Sequence, residues 1–167
     1  MYPNLNQRSL LAFDKMSSHD VREMLASART LQRAAESGLT KPLLRGKNLG
    51  LLCETGDDHD TALFRRAASE LGAHVAHIRP SLSGLSSPQQ VRHTARMLGR
   101  LYDAVVCQGM APTLVQQVRD DAGVPVYDGI ALWDHPSARL AELACGDTLP
   151  DDHRRFMLQA ILISTIA

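Results

Sequence analysis

The densest run of reactive side chains is Asp57-Asp58-His59-Asp60-Thr61. Three carboxylates, an imidazole and a hydroxyl within five residues suit three kinds of work. Carboxylates at a helix start accept hydrogen bonds from its free amides and offset its dipole, at about 0.3–1 kcal/mol each. The same groups can hold a cation, with Asp57, Asp58, His59 and Asp60 as ligands, although so compressed a spacing defines no particular metal. They can also receive a basic or amine-bearing partner. Capping demands the least of the surrounding structure; the other two stay open.

The flanking residues say where this run sits. Leu49-Gly50-Leu51-Leu52-Cys53 is a short apolar run bounded by turn residues, which predicts a buried strand. Ala62, Phe64, Arg65, Ala67, Ala68 and Leu71 follow helical spacing, and Gly72 is a natural stop. The acidic run therefore joins the carboxyl end of a strand to the amino end of a helix. In α/β folds ligands bind at such a place.

Upstream, residues 1–17 read as an irregular arm with one apolar piece at 10–13. Ser18 is the expected N-cap of a helix carrying Val21, Met24, Leu25, Ala28, Leu31 and Ala35 on one face, with Gly38 ending it. Downstream, strand patterns at 73–79, 104–107 and 124–127 alternate with helical patterns at 89–101 and 111–122. The alternation predicts one three-layer α/β domain, with a parallel sheet of four or five strands and helices on both faces. The last segment, 154–166, is apolar nearly all round and must be buried against the domain or a neighbour.

Composition narrows the class. At 167 residues, 44% hydrophobic and 18 basic against 18 acidic side chains, the chain reads as one soluble domain with no pull toward nucleic acid. Cys53, Cys107 and Cys145 are odd in number and widely spaced, which predicts reduced thiols and a cytoplasmic setting rather than disulfides or a zinc site. The first residues lack the apolar core of a signal peptide, and 156–167 is too short to span a bilayer, so no membrane association is expected. No cofactor and no metal is predicted.

Several motifs resemble one family. Gly46-Lys47, Glu54, Phe64, Ala67-Ala68 and Leu71-Gly72 fall on a pattern in which Gly-Lys precedes an apolar strand ending in Phe-Glu. In that pattern Ser-Thr-Arg-Thr-Arg then leads into a helix containing Ser-Phe and closed by Gly. Thr94-Ala95-Arg96-Met97-Leu98-Gly99-Arg100-Leu101-Tyr102-Asp103 is the most specific match, and His135-Pro136-Ser137-Ala138-Arg139-Leu140-Ala141-Glu142 is another. The chain resembles the carbamoyl phosphate-binding, N-terminal domain of the aspartate and ornithine carbamoyltransferases, ornithine-type most closely. Arg154, Ala160 and Thr165 are similar to the last helix of the ornithine enzymes, which returns from a second domain. The resemblance implies a single domain over 1–167: a core at 9–145, a linker at 146–152 where the second domain would stand, and a returning C-terminal helix at 153–167.

At the positions that matter for catalysis the match fails. The two motif arginines fall on His59 and Thr61, and the Ser and two Thr on Asp57, Asp58 and Asp60. The strand-end Arg-Gly becomes Gln108-Gly109. Of His-Pro-x-Gln, His135 remains and the Gln becomes Ala138. Exchanging two positive charges for three negative ones alters the local charge by about five units. Each pair at ~4 Å is worth about 4 kcal/mol at an effective dielectric near 20, so a phosphate should be repelled. His135 is expected as a remnant that caps a helix or bonds the backbone, with Asp134 doing similar local work, and Trp133 lines either a small pocket or the core. The resemblance thus implies a homologue without catalysis that assembles as a homotrimer, and with a full-length carbamoyltransferase, as an assembly or regulatory subunit. The alternative is a small-molecule or cation-binding protein using the old cleft through Asp57, Asp58, His59, Asp60, Thr61, Gln108 and His135. A third reading, residual carbamoyl transfer, requires a partner to supply the missing groups.

Overall fold

The structure is a computed structural model and describes residues 16–54, 58–84, 86–130, 132, 134–143 and 150–167. Residues 1–15 of the arm, Asp57, Trp133, Cys145 and residues 146–149 lie outside the described residues.

Its elements, in order, are α1 (Ser18–Glu36), β1 (Asn48–Cys53), α2 (His59–Glu70), β2 (His74–Ile78), α3 (Pro88–Leu101) and β3 (Ala104–Gln108). Then come α4 (Pro112–Ala122), β4 (Val126–Asp128), α5 (Pro136–Leu143) and α6 (Pro150–Ile166). The sheet has four parallel strands in the order β2-β1-β3-β4. Local chemistry sets the boundaries. Ser17, one residue before the expected cap, accepts from the Asp20 amide while the Asp20 carboxylate accepts from the Ser17 amide, starting α1. Ser87 and Gln90 make the same reciprocal pair ahead of α3, with Pro88 at its first position. β4 begins at Val126, later than the expected 124, and the Pro125 carbonyl still accepts from the Val105 amide at 2.9 Å.

Alternation along β3 defines the layers. Ala104 and Val106 face a core shared with Leu49, Leu51, α1, α2 and α6. Val105 and Cys107 face a second core shared with Leu52, α3 and α4. The second layer is drawn tight at Gly99, where an added Cβ would lie 1.8 Å from the Ala122 carbonyl oxygen. Cys53 and Cys107 are buried and in no disulfide, and burial pushes the Cys107 pKa up to about 12.

α6 begins at Pro150, inside the stretch assigned from sequence to the linker. Pro at the helix start and Asp151 and Asp152 in the first turn account for the earlier boundary. The helix is buried along most of its length and packs on α1, α2 and α5, so the domain itself covers its apolar surface. The large exposed apolar side chains among the described residues are Leu39, Met97, Leu101 and Leu143.

Candidate functional site

The carboxyl edge of the sheet is where β1 hands over to α2. Asp58 is the N-cap of α2: it has extended backbone angles, and its side chain accepts from the Thr61 amide at 2.7 Å. This satisfies one of the free amides of the first turn. Asp60 has a different occupation. Arg154 of α6 donates to it at 2.8 Å, with both side chains 15% exposed. His59 lies 2.9 Å from Asp151 of α6, both well exposed. Deeper along α2, Arg155 of α6 pairs with Glu70 and with its own neighbour Asp152, and stacks on the Phe156 ring. Gln159 donates to the Ala67 carbonyl and to Glu70. The described part of the acidic run is thus a helix cap followed by a docking seam for α6. The basic partner weighed for the run from sequence is, for Asp60, a residue of the same chain.

The seam also revises the charge estimate made from sequence. Arg154 offsets Asp60, so the edge is less negative than five units of change implied. The sequence offered a signal, a basic residue near the start of the last helix, but only the packing of α6 on α2 joins positions 60 and 154.

Thr61 and Gln108 stand apart from the rest. Thr61, in the first turn of α2, is fully buried, and its hydroxyl oxygen has no hydrogen-bond partner. Gln108 ends β3 beside Cys53 of β1 and is 4% exposed; neither its amide nitrogen nor its oxygen has a partner. By alternation with Ala104 and Val106, Gln108 faces the layer that holds α2. A buried polar atom left unpaired costs about 1–3 kcal/mol. Thr61 and Gln108 are two such side chains at one edge of the sheet.

His135 lies elsewhere along the edge, just before α5. Its Nδ1 accepts from the Ser137 amide at 3.1 Å and lies 2.9 Å from the Ser137 hydroxyl, which also donates to the Ile130 carbonyl. Burial brings its pKa down to about 4 against the raising charge of Asp134, so the ring is neutral near pH 7 and caps a helix. Among the described residues no cluster of three or more His, Cys, Asp or Glu could hold a metal ion.

The architecture, a parallel sheet with helices on both faces, has counterparts among solved structures. It superposes on an ornithine carbamoyltransferase from Pyrococcus furiosus with a TM-score of 0.69 at 24% identity, covering 80% of this chain and 43% of that one. The catalytic subunit of the aspartate transcarbamoylase of M. jannaschii gives 0.63 at 20% identity over 78% and 43%. These two likenesses speak to the fold alone. In sequence, residues 8–145 match the model of the aspartate/ornithine carbamoyltransferase carbamoyl-P binding domain. The chain belongs to the aspartate/ornithine carbamoyltransferase family. Among curated relatives, the ornithine carbamoyltransferase of Cutibacterium acnes is 34% identical over 139 residues, 83% of this chain and 42% of that enzyme. The catabolic ornithine carbamoyltransferase of Burkholderia mallei is 36% identical over 140 residues, 84% and 42%. The chain spans about two-fifths of the length of the curated relatives it matches.

Proposed function

We propose that this chain is a carbamoyltransferase homologue without catalytic activity, acting as an assembly or regulatory subunit in the cytoplasm. The observation that carries the reading is the side-chain chemistry at the carboxyl edge. Thr61 and Gln108 occupy positions where the resembling motifs carry arginine, and neither can neutralise a dianion or polarise a carbonyl as a guanidinium does. The cation that does reach the edge, Arg154, is held by Asp60. In this reading α6 is the helix that returns from a second domain in the relatives.

Self-association as a homotrimer, and association with a full-length carbamoyltransferase, belong to the same proposal. Support for an interface comes from α3, where Met97 and Leu101 are 46% and 58% exposed beside Arg96 and Arg100. Arginine and methionine are enriched at protein interfaces. α6 gives no such support, being covered within the domain.

The test is an assay of purified protein with carbamoyl phosphate and either ornithine or aspartate. No citrulline and no carbamoylaspartate should form; turnover that scales with protein through further purification would overturn the reading. Co-purification with a full-length carbamoyltransferase from the native cell checks assembly, and light scattering checks the trimer. A second reading, the edge reused for a small molecule, is favoured by the unpartnered Thr61 and Gln108.

A further inference from the structure

We propose that the exposed face of α3 is a docking surface for an acidic amphipathic helix of another protein. This rests on the assembly reading above and names the chemistry of the partner that the reading needs. α3 carries no carboxylate, and past Gln90 its exposed side chains are Arg92, His93, Arg96, Met97, Arg100 and Leu101. Arg92, Arg96 and Arg100 recur every fourth residue and so stand on successive turns, with Met97 and Leu101 beside them at the same spacing. Two surface grooves follow this face. One, of about 460 Å³, lies at Arg92, His93 and Arg96. The next, of about 450 Å³, lies at Met97, Arg100 and Leu101 and shares His93 and Arg96 with the first. The charge of the face is not neutralised within the domain. Arg92 and Arg96 share one carboxylate, Asp121 of α4, at 3.7 and 3.8 Å, which is beyond hydrogen-bond distance. Arg100 has no ion pair among the described residues.

Charge complementarity selects the occupant. A helix lying along α3 has the same rise of about 5.4 Å per turn, so it can set a carboxylate against each arginine on successive turns. Its own apolar residues then enter the groove at Met97 and Leu101. A second copy of this chain does not supply that surface. Face against face it would set arginine against arginine, and none of its helices has carboxylates on three successive turns among the described residues. An anionic bilayer is a poorer fit, because the face is grooved and Asp121 stands beside it on α4.

The experiment is a fluorescence-anisotropy titration of the full chain against three labelled synthetic helices of about 15 residues. One carries glutamate on three successive turns beside two leucines, the second glutamine at the same places, and the third lysine. The glutamate helix should bind saturably with a Kd under about 100 μM, and more weakly as salt rises from about 0.05 to about 0.5 M. The double variant Arg96→Glu, Arg100→Glu should bind it at least about tenfold more weakly and should bind the lysine helix instead, because the sign of the face is reversed. Met97→Gln leaves every charge in place and should weaken the glutamate helix severalfold. It decides the matter if the double variant does not fold. Three results overturn the proposal: no saturable binding below about 1 mM, equal binding of the glutamine helix, or undiminished binding by the folded variants. Two more overturn it in favour of another occupant. Phosphatidylserine vesicles that displace the glutamate helix from wild type would assign the face to a membrane. An oligomer in light scattering that falls apart in the double variant would assign it to a second copy. Failure on any of these counts leaves the reading of a homologue without catalysis standing, because the carbamoyl-transfer assay tests that separately.

Discussion

The two faces of the sheet are closed by different means. On the α3–α4 face the contacts are apolar, and the two helices approach until Gly99 meets the Ala122 backbone. On the α2–α6 face an apolar core is overlaid by ion pairs, Asp60 with Arg154 and Glu70 with Arg155, next to two buried polar side chains that pair with nothing. Close packing tolerates no extra atom, whereas a charged seam tolerates exchange as long as both partners change together. The first face is a scaffold fixed by volume. The second is closed by charge as well as by volume.

The largest effect expected from this contrast is at Gly99. Gly99→Ala places a methyl group against a backbone oxygen that cannot turn aside, and should destabilise the protein by about 3 kcal/mol. Chemical denaturation measures it; a loss under about 1 kcal/mol would mean that the α3–α4 layer is as adaptable as the other.

Next comes the seam. Arg154→Met removes the guanidinium from the mostly buried Asp60 carboxylate and should destabilise by about 2 kcal/mol, less than for a fully buried pair because some solvent reaches it. Adding Asp60→Asn should restore most of the loss, a coupling visible in a double-mutant cycle. Purely additive losses would show that the pair does not hold α6 to α2.

A smaller effect belongs to the cap. Asp58→Ala should lower stability by about 1 kcal/mol, and Asp58→Asn by only a few tenths, because Asn still accepts from the Thr61 amide. If Asp58→Asn instead raises the melting temperature, repulsion among the carboxylates outweighs capping and the edge is a cation site.

The smallest is a slope with pH. His135 has its folded pKa brought down to about 4, so between there and its ordinary value the unfolded chain binds more protons than the folded one. The stability this contributes is present above about pH 6.5 and is lost as pH falls toward 4. Because the ring is only partly buried, the loss between about pH 7.5 and 6 should stay under about 1 kcal/mol. His135→Asn, which keeps an acceptor for the Ser137 amide, should flatten the slope in melting curves taken across that range.

The order of elements was legible in the residues themselves. Apolar runs such as 49–53, helical spacing such as Val91, Ala95 and Leu98, and the punctuation by Ser87-Pro88 and Gly123 are local signals, and local signals survive in one dimension. So was the departure of Thr61, Gln108 and Ala138 from the family motifs. Tertiary structure alone decided what Asp60 and His59 meet in the folded chain. Asp60 meets Arg154 across 94 residues, and His59 meets Asp151, because α6 lies along α2. It alone, too, left Gln108 and Thr61 buried without partners. Whether a polar side chain is satisfied depends on which atoms arrive from other segments, and no spacing along one segment records that.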